Sequence, residues 1–190
     1  KAGKLFGNFF WAFFFFFIAY FFYIDAVNTV ISMAVSLATD MGVSDVASLA
    51  LVILINILAC PGAIIFGKLT EKFGSKPMIY SAIFGYFMIV VVGTQIPKNV
   101  NLIWLLGFLV ACFQGGIQAV SRSFYSILIP NKEDTNEFFG FFEIFAKFSA
   151  ILGPFIITMI VTFTKRADLG ILGLVPSLLI GATLLAFVKD

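Results

Sequence analysis

The stretch FQGGIQAVSRS, Phe113 to Ser123, places two glutamines, two serines and an arginine inside an otherwise apolar segment. On a helix, residues four apart share a face. Gln114, Gln118 and Arg122 therefore form one line, and Gly107, Ala111, Gly115, Ala119 and Ser123 form a second line beside it. Small residues at every fourth position let another helix approach closely in an apolar medium. An arginine at membrane depth costs at least ~2.5–3.5 kcal/mol on insertion scales, so the polar line must face protein or water. The segment predicts a helix with one packing edge and one polar edge. That polar edge either lines a hydrated hollow or hydrogen-bonds to neighbouring helices.

The rest of the chain supplies the apolar medium. Of 190 residues, 61% are hydrophobic and only 12% are charged, so the solvent must be lipid. Phenylalanine reaches 26 copies, most of which can face acyl chains. A hydrocarbon core of roughly 30 Å needs about 20 apolar residues as helix. Spans of that kind fall at about 10–38, 45–67, 77–96, 102–128, 136–163 and 169–188. The runs are continuous rather than alternating, which predicts helices and not a barrel. The third span (Met78 to Thr94) and the sixth (Leu169 to Val188) are apolar nearly all round, as lipid-facing helices should be. The first, fourth and fifth carry the polar residues. The expected fold is an all-α membrane protein of one domain, residues 1–190, with six transmembrane helices in a 3+3 inverted repeat.

Lysine and arginine set the orientation. Lys1, Lys4, Lys68, Lys72, Lys76, Lys132 and Lys189 fall on the side of the two termini, against Lys98, Lys165 and Arg166 on the other. This predicts both ends in the cytoplasm. Arg122 and Lys147 complete the 12 basic residues, and both fall within spans.

Several function classes are excluded. There is no histidine, so no Ser-His-Asp triad, HExxH protease or His-based metal site exists. No G-x-x-x-x-G-K-[ST] motif supports an ATP-driven pump. Basic residues are few and mostly in loops, which gives nucleic-acid binding no support. Cys60 and Cys112 lie in apolar runs and do not read as a disulfide framework. No enzyme, cofactor or metal is expected. The first residue is Lys, and the chain is expected to be one half of something longer.

The candidate site is read from polar residues inside spans. Asp25, Asn28, Thr29, Ser32 and Ser36 recur at helical spacing on the first span. A carboxylate near mid-span is expensive unless it is paired, hydrated or protonated, so Asp25 is a functional candidate and a candidate carrier for a coupling proton. Glu143 and Lys147 form an i,i+4 pair on the fifth span. Arg122 and Glu143 both lie about 10 Å inside the cytoplasmic end, at 1.5 Å per residue. The expectation is a network Asp25, Lys147, Glu143, Arg122, which is either structural or part of a transport cycle. Pro61–Gly62 and Gly153–Pro154 are expected to interrupt the second and fifth spans. Ala59, Ala63 and Gly67 predict a close-packing edge on the second span.

The loop GKLTEKFGSK, Gly67 to Lys76, resembles the G-x-x-x-[DE]-[RK]-x-G-[RS]-[RK] loop of the major facilitator superfamily, with Gly67, Glu71, Lys72, Gly74, Ser75 and Lys76 in the key places. The resemblance implies a cytoplasmic loop that latches one conformational state. DAVNTVISMA (Asp25 to Ala34), QGGIQAVSRSFYSILIP (Gln114 to Pro130) and EFFGFFEIFAKFSAILGP (Glu137 to Pro154) are similar to the branch of autophagy-associated vacuolar amino-acid effluxers and their bacterial relatives. Those relatives carry Asn-Asp-Gly where this chain has Ile24-Asp25-Ala26, and a small polar residue in place of Glu143.

The resemblance implies helices seven to twelve of a twelve-helix secondary carrier, partnered by an N-terminal six-helix half. It further implies a bacterial inner membrane, a small polar solute such as an amino acid, and alternating access. Asp25, Asn28, Thr29, Ser32, Gln114 and Gln118 would line the substrate cavity, and Arg122, Glu143 and Lys147 its vestibule. A self-sufficient six-helix channel or homodimeric carrier is the competing reading.

Overall fold

A backbone amide in lipid finds no water, so each span must satisfy its own hydrogen bonds as a helix. The computed structural model describes residues 2–40, 42–95, 102–129, 133 and 135–188. It contains α1 (Ala2–Asp40), α2 (Asp45–Phe73), α3 (Ser75–Gly93), α4 (Leu102–Ile127), α5 (Thr135–Ser149), α6 (Leu152–Thr164), α7 (Ala167–Leu172) and α8 (Val175–Phe187). No strand occurs among the described residues. Six stretches are long and apolar enough to cross a membrane: Trp11–Met33, Asp45–Phe73, Ser75–Gly93, Leu102–Ile127, Thr135–Thr164 and Leu169–Phe187. The chain is an all-α, multi-pass membrane protein.

The two proline sites behave differently. The fifth span is broken: α5 ends at Ser149, α6 begins at Leu152, and Pro154 lies in the first turn of α6. Proline is tolerated there because the first-turn amides have no intrahelical partner. The second span is not broken at Pro61–Gly62, contrary to the sequence expectation; α2 runs through both residues. Gly62 serves close approach instead, since a Cβ on it would lie 2.6 Å from the Cys112 carbonyl oxygen. The sixth span divides into α7 and α8 at Gly173 and Leu174.

Helix α1 is the central element and packs against α8, α5, α4, α2 and α6. Phe16, Ala19, Tyr23, Ala26 and Val27 follow a three- and four-residue spacing and are fully buried. The ring of Tyr20 stacks on Phe142 at 4.2 Å between centroids, and Phe142 stacks on Tyr125 at 4.7 Å. Phe16, Phe17, Phe124 and Phe142 thus belong to the core. Composition alone suggests acyl chains as the neighbours of most phenylalanines, and for these four the neighbours are other helices.

The packing edge expected on α4 meets α2 backbone to backbone. A Cβ on Gly115 would lie 1.9 Å from the Ala59 carbonyl oxygen, and one on Gly107 would lie 2.5 Å from Leu51 Cδ1. On α2 the contact runs through Leu51, Ile55, Ala59, Gly62 and Phe66. Gly67, expected on this edge, lies outside it: a Cβ there would meet nothing within 4 Å.

Helices α3 and α8 are joined by the Tyr80 hydroxyl, which donates to the Ala182 carbonyl at 3.1 Å. The least covered spans are the second and fifth, with 22% and 17% of the residues in their most apolar stretch buried against 61% for the first. The third span, expected outermost, is 50% buried.

Replacing Gly115 by Ala drives a methyl group into a main-chain oxygen that no rotamer change can move. The expected loss is about 3 kcal/mol, the upper end of overpacking costs. Gly140→Ala, with nothing within 4 Å of its Cβ position, is expected to leave stability unchanged or raise it slightly. Thermal unfolding of the two variants in detergent separates them.

Candidate functional site

The first amides of a helix lack intrahelical acceptors, and a nearby carboxylate is their strongest partner. At the start of α6 that partner comes from another helix. The Gly153 N–H donates to Asp25 Oδ1 of α1 at 2.7 Å. Thr29 lies one turn further along α1, and a Cβ on Gly153 would lie 2.0 Å from its Oγ1. Asp25 is 0% exposed and Thr29 is 1% exposed. Asp25 Oδ2 and Thr29 Oγ1 have no hydrogen-bond partner among the described residues. A cavity lined by Val30, Met33, Ile89, Leu106 and Ile157, which neither Asp25 nor Thr29 lines, is apolar and only about 20 Å³. That volume holds about one water.

Asp25 and Thr29 therefore lie in the closed seam between α1 and α6, not on the wall of an open hollow as the sequence led us to expect. The remaining cavity candidates are more accessible. Asn28 is half-buried, and Ser32 is exposed with its hydroxyl donating to the Asn28 carbonyl at 3.0 Å. Gln114 and Gln118 are half-buried on α4, and Gln114 Oε1 has no partner among the described residues.

The expected charge network is only partly assembled. Arg122 of α4 donates to Glu143 Oε1 of α5 in an ion pair whose side chains are 55% and 43% exposed. Lys147 is exposed and forms no ion pair among the described residues, and Asp25 bonds to a backbone amide instead of to it. Spacing along α5 places Lys147 one turn from Glu143, but its side chain is exposed while Asp25 is fully buried.

Two further residues were not singled out from the sequence. The Tyr23 hydroxyl and Ser121 Oγ are 2.7 Å apart and buried, joining α1 to α4. The available signal was a tyrosine at mid-span, since a buried phenol needs a partner. On the same flank of α4, the Tyr125 hydroxyl donates to the Phe138 carbonyl of α5 at 2.9 Å.

The loop residues have local explanations. Gly74 ends α2 and opens α3 at φ 88°, a left-handed backbone that favours glycine, with its N–H donating to the Thr70 carbonyl at 2.9 Å. Lys76 Nζ donates to the Val188 carbonyl just past the end of α8. A cation is favoured there by the negative end of the helix dipole. Lys72 lies 5.4 Å from the centre of the Phe73 ring. Gly67 and Glu71 are exposed.

The buried and exposed contacts should differ in weight. Tyr23→Phe leaves Ser121 without its buried partner and is expected to cost about 1–2 kcal/mol in thermal unfolding. A double-mutant cycle on Arg122 and Glu143 is expected to give a coupling of about 0.2–1 kcal/mol, the range of exposed pairs.

Comparison with known proteins gives consistent matches. The family described as "Vacuole effluxer Atg22 like" matches residues 11–190. The uncharacterized MFS-type transporter YxiO of Bacillus subtilis (strain 168) is 42% identical over 179 residues, covering 94% of this chain and 41% of that protein. Autophagy-related protein 22 of Vanderwaltozyma polyspora is 32% identical over 152 residues, covering 74% of this chain and 29% of that protein. Its counterpart from Kluyveromyces lactis is 28% identical over 157 residues, covering 75% and 31%. The chain spans less than half the length of these relatives.

Proposed function

Since this chain belongs to the Atg22-like vacuole effluxer family, we propose that it forms the C-terminal six-helix half of a secondary transporter that moves a small polar solute by alternating access. The observation that carries this reading is the uncovered surface of the second and fifth spans, where only 22% and 17% of the residues in the most apolar stretch are buried; the second span packs on α4, and the fifth meets the end of its polar line through Arg122 and Glu143. A second six-helix half of the same protein covers that surface. The polar line then faces the seam between the halves, not lipid.

In this arrangement Asn28 and Ser32 of α1 and Gln114 and Gln118 of α4 line the solute path. Amide and hydroxyl groups both donate and accept hydrogen bonds, which suits a zwitterionic or polyhydroxylic solute, and amino acids are the first class to test. The Arg122–Glu143 pair spans α4 and α5 at the vestibule. Its exposure allows it to open and re-form as the halves rock. The loop Gly67 to Lys76 stabilises one of the two states, with Glu71 free to meet the opposite half. The location is a bacterial inner membrane, with both ends of this chain in the cytoplasm.

The test is uptake of a labelled amino-acid panel by the full-length protein in sealed vesicles. At least one amino acid is expected to accumulate above protein-free vesicles, and Gln118→Ala is expected to lower its transport about tenfold, the value of one well-made polar contact. Transport of no panel member, or full activity in Gln118→Ala, would sink the proposed solute path. Self-association of this six-helix unit into an active dimer without the preceding half would favour the homodimeric carrier.

A further inference from the structure

The α5–α6 break leaves main-chain oxygens without their usual helical donors. In an unbroken helix the Gly153 N–H would close on the Ser149 carbonyl, but here it goes to Asp25 Oδ1. Pro154 has no N–H to offer the Ala150 carbonyl. The break thus takes the usual helical donor from two consecutive main-chain carbonyls. Against Gly153, in the first turn of α6, lie Asp25 and Thr29, whose Oδ2 and Oγ1 have no partner among the described residues. Asp25 is 0% exposed and Thr29 is 1% exposed, so water does not reach either freely. A Cβ on Gly153 would lie 2.0 Å from Thr29 Oγ1 and 3.0 Å from Asp25 Oδ1, so glycine keeps these oxygens against the helix end.

Among the described residues no ion pair balances the carboxylate. Helices α6 and α8 contain no ionisable residue. On α4, Arg122 is engaged by Glu143, and on α5, Lys147 is exposed. The α6 dipole and the Gly153 amide offset only part of the cost of a buried anion at mid-membrane.

We propose that Asp25 Oδ2, Thr29 Oγ1 and the carbonyl oxygens of Ser149 and Ala150 form a binding site for a sodium ion. The donor set is all oxygen, which selects a hard cation. Among the described residues no cluster of His, Cys, Asp and Glu would suit a transition metal. A monovalent ion neutralises one carboxylate, whereas a divalent ion leaves net charge in the apolar core. A proton would serve one oxygen and leave the others unserved. A helix interrupted within the bilayer is a recurrent place for such ions, because its freed carbonyls act as ligands. The site deepens the transport reading and rests on it for its role: sodium is the coupling ion, and its arrival adds to the Asp25–Gly153 bond a second link between α1 and the break.

The experiment measures binding apart from transport. Purified full-length protein in detergent is equilibrated with radioactive sodium at constant ionic strength set with choline chloride. Saturable binding is expected, reduced at least about tenfold in Asp25→Asn and Thr29→Val and retained in Thr29→Ser, which keeps the hydroxyl. Thr29→Val nearly preserves shape and decides the matter if Asp25→Asn does not elute as a monodisperse species. Absence of saturable binding, equal binding by Thr29→Val and wild type, or displacement by calcium at concentrations far below sodium would overturn the site. Bound sodium with no transported solute in the uptake panel would count against the transport reading and leave the site standing. Solute transport indifferent to sodium but driven by a pH gradient would remove the coupling role.

Discussion

A rod that crosses lipid can be broken only if the amides and carbonyls at the break find partners within the protein. The bond from the Gly153 N–H to Asp25 meets that requirement for the first free amide of α6. It also explains the polarity of α1, since an acid at mid-membrane is tolerable where it faces the positive end of another helix. The arrangement is specific about residue type. Glycine is required at the α6 end, because any side chain would collide with Thr29. Proline can follow because its missing donor falls in the first turn. Asp25, Thr29, Gly153 and Pro154 therefore act as one unit, although 128 positions separate the bonded pair.

The second organising contact is nearly pure van der Waals packing. Helices in lipid gain little from apolar burial as such, so close backbone approach and a few buried hydrogen bonds hold them together. The α2–α4 seam supplies the first through Gly115 on Ala59 and Gly62 on Cys112. The Tyr23–Ser121 pair supplies the second between α1 and α4. Helix α4 is thus fixed on two sides, which holds the line Gln114, Gln118 and Arg122 at the edge between buried and uncovered surface.

The sequence made the spans legible because membrane thickness imposes a length that composition reveals directly. The small-residue line of α4 was legible for a similar reason: its four-residue period has one structural use. The Arg122–Glu143 pair was foreseen from depth along two neighbouring helices, and it is present. The Asp25–Lys147 link was not formed, because spacing gives a residue's height on its own helix but not the rotation of that helix toward its neighbour. Pro61 and Pro154 look alike in sequence. One lies in the interior of a continuous helix and the other opens a new one, and the difference depends on whether a distant carboxylate waits at the break. The phenylalanines were ambiguous in the same way, since core and lipid present similar apolar surroundings.

The contact between Lys76 and the carbonyl of Val188 has a mechanical meaning. Lys76 stands at the start of α3, two residues beyond the Gly74 bend that ends α2. Further along, Tyr80 fastens α3 to α8 a second time. With two fastenings a helical turn apart on α3, α3 and α8 are pinned together at this end like a single plank. The Gly74 bend therefore connects α2 to a braced pair of helices and not to a loose end.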